Sequence, residues 1–285
     1  MTTPTSTGDA ALRARKTWRT VEPLHGMIYF VPEAAEAYEA LGITGRDGYF
    51  ASRAAPMGAV TAEVVVATFY NFRPELVHAA VPAAWGAATP AQIVAARLDG
   101  VDRAMRRLLG DEVMASSDMK RAAGLARRAA EGAASRLEGR PLAAGHASLD
   151  WPDAPHLGLW HAQSILREFR GDGHVALLVA HDLSGLEALV VHAASGEVPA
   201  SVLLATRGWT SDQWDTAVVA LRTRGWLADG DLALSAWGSE RRQEIEDATD
   251  ALAAAPYALL GDDLCAELRS LVRPWSRIFA DTVFR

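Results

Sequence analysis

The sequence predicts an all-α protein that carries one small β-wing near its C-terminal end. Three observations predict it. Apolar residues recur at helical spacing over most of the 285 residues. Gly and Pro cut those runs into pieces of helix length. One stretch breaks the pattern: RGWLADGDLALSAWGSERRQ, residues 224–243, reads as a helix end, a tight two-stranded hairpin and a new helix start.

Taken in order, residues 1–11 form a Thr/Ser lead expected to be disordered. Amphipathic helices follow at 9–27 and 32–42, the second ending at Gly42. Residues 43–58, ITGRDGYFASRAAPMG, are rich in Gly and broken by Pro56. The run AVTAEVVVATFYNF (59–72) has the Val content of a strand, but its length between two helix breakers favours a buried helix. Helices are expected at 73–81, 89–110 and 114–137. Residues 138–156 carry Gly139, Pro141, Gly145, Pro152 and Pro155. That places a linker at 141–155, between an N-terminal helical domain (12–140) and a C-terminal domain (156–285).

The C-terminal domain opens with helix 156–170, where Leu159, Ala162, Leu166 and Phe169 make an apolar stripe and Gly171 and Gly173 make the stop. Helices at 174–181, 184–195 and 199–206 come next. Thr210 and Gln213 form a capping box. Trp214, Ala217, Val218 and Leu221 line one face of the helix that follows, which ends near Gly225. Trp226-Leu227 and Leu232-Ala233-Leu234 flank the turn as short strands, and Ser235 caps a helix with Ile245, Ala248 and Leu252 inward. The last helix, 262–281, has Leu264, Leu268, Leu271, Trp275 and Ile278 along one side, long enough to pair with another helix in cis or in a dimer.

Composition excludes several classes. The net charge is −7, so the chain as a whole lacks the basic footprint of a non-specific nucleic-acid binder. Within 207–234, Arg207, Arg222 and Arg224 stand against Asp212, Asp215, Asp229 and Asp231. Gln213, Thr216 and Thr223 point outward and would meet DNA, but only Gln213 is a good base reader. DNA is therefore a doubtful partner. Cys265 is the only cysteine, which excludes an internal disulfide and a Cys-based zinc site. No apolar run reaches the roughly 18 residues of a membrane span, and MTTPTSTGDAALRARK lacks a secretory core, so a cytoplasmic protein is expected.

Polar residues concentrate in WHAQSILREFRGDGH, 160–174. Gln163, Arg167 and Arg170 share a helix face, and Asp172 and His174 follow in a Gly-rich turn. One reading is a cationic wall for a carboxylate or other anion, with Asp172 orienting His174. The other is a solvated helix face with a turn-stabilising Asp. Glu22, His25 and Tyr29 share a face too, as part of a pocket or around a helix-packing histidine. Trp160 and His161 lie side by side. Tyr29, Phe30, Tyr49, Phe50, Arg53, Phe69, Tyr70, Asn71 and Phe72 interleave aromatic with polar groups, as a ligand pocket or a helical core would. His174, His181 and His192 lack metal-site spacing, so no metal is expected. No cofactor is indicated; a haem ligand among the histidines stays open, without a C-x-x-C-H to support it.

The stretch RGWTSDQWDTAVVALRTRGWLADGDLALSAWGSERRQEIE, with LSAWG looking like an LT-x-x-G helix opening, resembles the MarR-type winged-helix regulators, a likeness that extends over 156–280. It implies a winged-helix C-terminal half, a small ligand, ligand-controlled DNA binding and dimerisation through terminal helices. The chain is nearly twice as long as MarR-type chains, so a dimer through the last helix or a monomeric, fused pseudo-dimer would each satisfy that pattern. EPLHGMIYFVPEA, GYFASRAAPMG, VVATFYNFRPELV and LWHAQSILREFRGDGHVALLV also make the whole chain similar to a poorly characterised actinobacterial helix-turn-helix family, which brings no activity with it. The resulting expectation is a protein that binds a small organic molecule between its two halves. Its ligand residues would be Glu22, His25, Tyr29, Arg53, Asn71, Trp160, His161, Arg167, Arg170, Asp172 and His174. The alternative is an enzyme of small-molecule or natural-product metabolism on the same scaffold, using His25, His161, Arg167, Arg170 and His174 for acid–base chemistry.

Overall fold

The computed structural model describes residues 7–284. The predicted lead falls largely outside them, and from Thr7 the chain is already helix α1 (Thr7–Gly26). The helices α2 (Pro32–Glu39), α3 (Arg46–Ala54), α4 (Ala62–Phe69), α5 (Pro74–Ala87), α6 (Pro90–Leu109), α7 (Asp111–Ala115), α8 (Ser117–Ala134) and α9 (Pro141–Ala147) follow. The long α10 (Pro155–Ala180) leads into α11 (Gly185–Ala194), α12 (Ala200–Arg207), α13 (Ser211–Thr223), α14 (Ala236–Leu252), α15 (Ala255–Ala258) and α16 (Gly261–Val283). The all-α expectation holds: among the described residues there is no strand. No single helix there is long and apolar enough to cross a membrane.

Packing explains the order. The main core joins Leu24, Met105, Leu125, Ile165, Leu268 and Phe279, from both sides of residues 141–155. Its axis is α10, which is buried nearly all round and packs on α1, α8, α9 and α14. A second core around Leu183, Val190, Leu203, Trp214, Leu221 and Ile245 builds a lobe from α11, α12, α13 and the start of α14. A third, around Phe50, Phe69 and Phe72, fills the space beneath α3, α4 and α5. The apolar side of α16 is met in cis by α1 and α8.

Glycine causes most of the differences from the sequence reading. Residues 43–58, Gly-rich as they are, contain α3 and a 3₁₀ turn, Ala55–Met57. Gly48 is there because a Cβ would lie 2.7 Å from the Tyr38 ring. Residues 141–155 contain α9, with Pro141 in its first turn and Leu142, Ala143 and His146 buried. Gly171 and Gly173 do not stop α10 or form a turn; the Arg140 guanidinium occupies the place of a Gly173 side chain, 2.7 Å from its would-be Cβ. The expected buried helix within 59–72 is α4.

The β-wing is the clearest correction. Its two strands shrink to one antiparallel bridge, Leu227 with Leu234. Ala228 N–H donates to Ala233 O at 3.0 Å and Ser235 N–H to Trp226 O at 3.0 Å, and pairing goes no further. The arms are too short for a ladder, and Arg222 closes the tip instead, donating to the carbonyls of Ala228 (3.3 Å) and Gly230 (2.5 Å). The capping box of Thr210 and Gln213 is present, as is the Ser235 cap on Gly238 N–H.

Candidate functional site

Between the body and the α11–α14 lobe runs a cleft of three adjoining cavities, about 660, 340 and 240 Å³. Glu22, Tyr49, Phe72, Arg167 and Arg207 border the first two, and Phe69, Asn71, His174, Val175 and Glu246 the second and third. The largest falls within the roughly 300–1,000 Å³ of small-molecule sites.

Helix α10 supplies the floor. Glu168 is buried and sits between two guanidiniums, Arg53 Nη2 at 3.1 Å and Arg167 Nη1 at 3.0 Å. Burial alone would raise its pKa, but Arg53 and Arg167 pull it down to about 2. Arg167 also reaches Glu22 at 2.9 Å, and Trp18 Nε1–H donates to the same carboxylate at 3.1 Å. Arg170, only 7 % exposed, pairs with Asp250 at 2.6 Å and lies over the Trp18 ring, 4.4 Å from its centroid. His174 meets Thr249 through Nδ1 at 2.9 Å, and burial lowers its pKa. Asp172 has no bonded cation. It accepts from Ala143 N–H at 3.0 Å, and burial pushes its carboxyl up to about 7.

That shift gives a stability prediction. The folded pKa of Asp172 lies above the unfolded value of about 4. Its contribution is therefore fully present below pH ~4 and is lost as pH rises through about 7. Asp172→Asn should stabilise the protein by about 1–2 kcal/mol at pH 8 and hardly at all at pH 4. Urea unfolding at the two pH values checks this; an equal effect at both would refute it.

One wall comes from the lobe. Arg207, in the last turn of α12, lies 4.7 Å from the Phe72 ring centroid; among the described residues it has no carboxylate partner, and its buried Nε has no acceptor. Burial lowers its pKa, Tyr49 counters that, and the like charges of Arg53, Arg167 and Arg46 lower it further. Sequence reasoning counted Arg207 among the charges of 207–234 but not among the ligand residues. No local signal marks it, and only tertiary packing turns it toward α1 and α10.

The opposite wall is a strained strap. Tyr70 has φ 62° and ψ −55°, and Asn71 N–H donates to Phe69 O at 2.7 Å, the geometry of a γ-turn rarely adopted by a bulky residue. Contacts to the lobe hold it. The Tyr70 hydroxyl donates to Leu183 O, Trp209 Nε1–H to Asn71 O at 2.9 Å, and Arg73 N–H to Arg207 O at 3.0 Å. The turn leaves Asn71 Oδ1 buried at the cleft without a donor.

Of the residues singled out from sequence, Glu22, Tyr29, Arg53, Asn71, Arg167, Arg170, Asp172 and His174 line the cleft. His25, Trp160 and His161 do not. His25 packs against the Trp160 ring with centroids 5.1 Å apart and meets Ser164 at 3.1 Å, so it is the packing histidine. His161 sits edge-on to Trp151, 4.9 Å away, next to a much smaller cavity on another side of α10. Asp172 does not orient His174, because both ride one continuous helix with separate partners. Among the described residues no group of His, Cys, Asp or Glu is arranged to hold a metal ion.

The lobe has a helix-turn-helix layout: α12, a left-handed Gly208 at φ 78°, then α13. The three outward residues are engaged locally. Gln213 Oε1 accepts from Thr210 N–H at 3.1 Å, Thr216 donates to Asp212 O at 2.8 Å and Thr223 to Val219 O at 3.0 Å. Arg224 pairs with Glu187 at 2.8 Å. Asp212 and Asp215 stay exposed.

Fold and lobe together define an all-α protein with a helix-turn-helix layout. The model of a helix-turn-helix family matches residues 14–284, and the chain belongs to that family. No curated protein and no solved structure matches it.

Proposed function

We propose that this is a small-molecule-binding helix-turn-helix protein in which the cleft ligand sets the position of the α11–α14 lobe. One observation carries the reading: the cleft lies along the seam between body and lobe, floored by a buried ion network and walled by a strained strap. Strain of this kind costs roughly 1–3 kcal/mol and tends to be kept at ligand clamps and switches.

DNA binding by the lobe is expected to be weak and mainly electrostatic. Arg222 and Arg224 are folded back, and Asp212 and Asp215 face out. Two measurements test the proposal. Native mass spectrometry after incubation with a cellular metabolite extract should show a bound small molecule, lost in Phe72→Arg, which fills the cleft; no adduct with any pool defeats the ligand reading. A gel shift with genomic fragments should show only salt-sensitive retention. Sub-micromolar binding to one fragment near physiological salt would defeat the weak-DNA part, since specific complexes typically reach about 10⁻⁸ M.

A second reading, an enzyme, is favoured by Asp172 alone, a cleft carboxyl poised near neutrality. It retains Arg167, Arg170 and His174, but His25 and His161 lie off the cleft. Conversion of the captured molecule by the wild type and not by Asp172→Asn would decide for it.

A further inference from the structure

We infer that the ligand of the largest cavity is an aromatic carboxylic acid, whose anion bridges Arg207 and Arg46 while its ring system packs on Tyr49 and Phe72. This rests on the proposal that the cleft holds a small molecule, and it adds the ligand's class and the residue that reports it to the lobe.

Charge selects the acid. Four charged residues line this cavity, Glu22, Arg46, Arg167 and Arg207. Glu22 is already engaged by Arg167 and Trp18, and Arg167 also by Glu168. Among the described residues Arg46 donates to the Ala205 carbonyl at 3.3 Å, and Arg207 has no carboxylate partner, its buried Nε lacking any acceptor. A guanidinium does not give up its proton in a protein, so it must find an anion or stay poorly solvated. The charged groups that act on Arg207 include Arg53, Arg167 and Arg46, all of its own sign. In a chain of net charge −7, this is a local excess of positive charge facing a cavity of about 660 Å³.

The hydrogen-bond inventory agrees. Tyr49 OH accepts from Arg53 at 2.9 Å, and Tyr29 OH from Arg97 at 3.2 Å. Each phenol keeps its own O–H to donate. The wall thus offers two guanidiniums and two hydroxyl donors, a set that suits an acceptor-only group such as a carboxylate. The remaining surface is aromatic: Tyr49 lies 5.2 Å from Tyr29 and 5.5 Å from Phe72 between ring centroids. Inorganic phosphate would satisfy the cations but leave those rings uncovered, whereas a flat apolar body covers them.

Arg207 carries the signal. Its carbonyl accepts from Arg73 of the strap, and Gly208 directly after it starts the turn into α13. An acid held by Arg207 and Arg46 ties the end of α12 to α3 and so sets the angle at which α13 leaves.

The test uses 1-naphthoate, its neutral isostere 1-naphthamide, and inorganic phosphate, by calorimetry and thermal melting of the full chain. We expect naphthoate to bind and raise the melting temperature, with naphthamide and phosphate weaker by about tenfold or more. Arg207→Gln should lose naphthoate binding by a similar factor. It should nevertheless melt no lower than the wild type without ligand, because an unpartnered cation has been removed. Arg46→Gln, at an exposed position, is the second variant and should weaken naphthoate without touching the fold. Equal binding of naphthamide would overturn the acid while leaving a cleft ligand in place. Equal binding of phosphate would overturn the aromatic body. Unchanged naphthoate affinity in both variants, or no binding of naphthoate, would overturn the inference. The metabolite-capture experiment separates that failure from failure of the cleft proposal itself.

Discussion

Glu168→Gln should cost the fold about 3–5 kcal/mol, the range for removing one partner of a buried ion pair. Glutamine retains the shape of the side chain, so the loss isolates the charge. Arg53 and Arg167 would then face each other across a neutral amide, in a place where Arg53 is shielded from water and Arg167 is 28 % exposed. Arg167 retains Glu22; Arg53 retains only the Tyr49 hydroxyl and the face of Phe69, 4.3 Å from its ring centroid. Cation–π contact is worth about 0.5–2 kcal/mol and does not replace the lost carboxylate. The double change Glu168→Leu with Arg53→Met removes both charges of the tighter pair and should cost much less than Glu168→Gln. Urea unfolding at pH 7 measures both. A loss below about 1 kcal/mol for Glu168→Gln would show that water reaches this site.

The same residue has a pH signature. Its folded pKa of about 2 lies below the unfolded value of about 4.5, so its stabilisation is present above pH ~4.5 and is lost as pH falls toward 2. The buried imidazoles act earlier. Burial, with Arg97 nearby, holds His146 at about 3 and His161 at about 4, against about 6.5 unfolded. For both, the unfolded chain takes up protons first, so stability falls from about pH 6.5 downward. Wild-type acid unfolding therefore starts in the histidine window, and Glu168→Gln removes only the part below pH ~4.5.

Helices were legible wherever burial was one-sided. The face of α13 could be read from Trp214, Ala217 and Leu221, and its start from Thr210 and Gln213, because cap and stripe are local signals. Helix α10 hid its nature for the opposite reason. It is buried nearly all round, so the sequence left Arg167 and Arg170 between a cationic wall and a solvated face, and packing puts them on the charged floor of a cleft. Glycine misled in the same direction at Gly48, Gly145 and Gly173. Each reads as a breaker in one dimension, but each lies inside a helix where another group takes the space of a side chain. Polar residues Arg53, Asn71, Arg167, Arg170 and Asp172 could be nominated by type. Arg207 could not, since Phe72 and Tyr49, against which it sits, are more than a hundred residues away in sequence. His25 and His161 were nominated by chemistry alone, and the packing of Trp160 and Trp151 placed them off the cleft.

Gly185→Ala should cost about 3 kcal/mol or more and loosen the lobe from the body. Helix propensity points the other way: Gly185 opens α11 with ordinary backbone angles, where alanine is the better residue by up to about 1 kcal/mol. Sterics decide. A Cβ there would sit far inside van der Waals contact distance of the Tyr70 carbonyl oxygen, 2.8 Å from the Tyr70 carbonyl carbon and 3.0 Å from Asn71 Cα. All three are backbone atoms, so no side chain can swing away. The strap cannot retreat cheaply either, because the γ-turn, the Tyr70–Leu183 hydrogen bond and Trp209 hold it. Overpacking of this kind typically costs about 1–3 kcal/mol, and rigid neighbours put this case at the top of that range or beyond. Because the clash lies on the seam, two readouts should move together: the unfolding midpoint falls, and amide exchange quickens across α11, α12 and α13 more than across α8. Gly124→Ala is the control. It lies on the exposed side of α8 with open space around its Cβ position and should leave the lobe unchanged while gaining up to about 1 kcal/mol. If Gly185→Ala behaves like Gly124→Ala, the strap does not clamp the lobe, and the coupling between cleft and helix-turn-helix loses its mechanical basis.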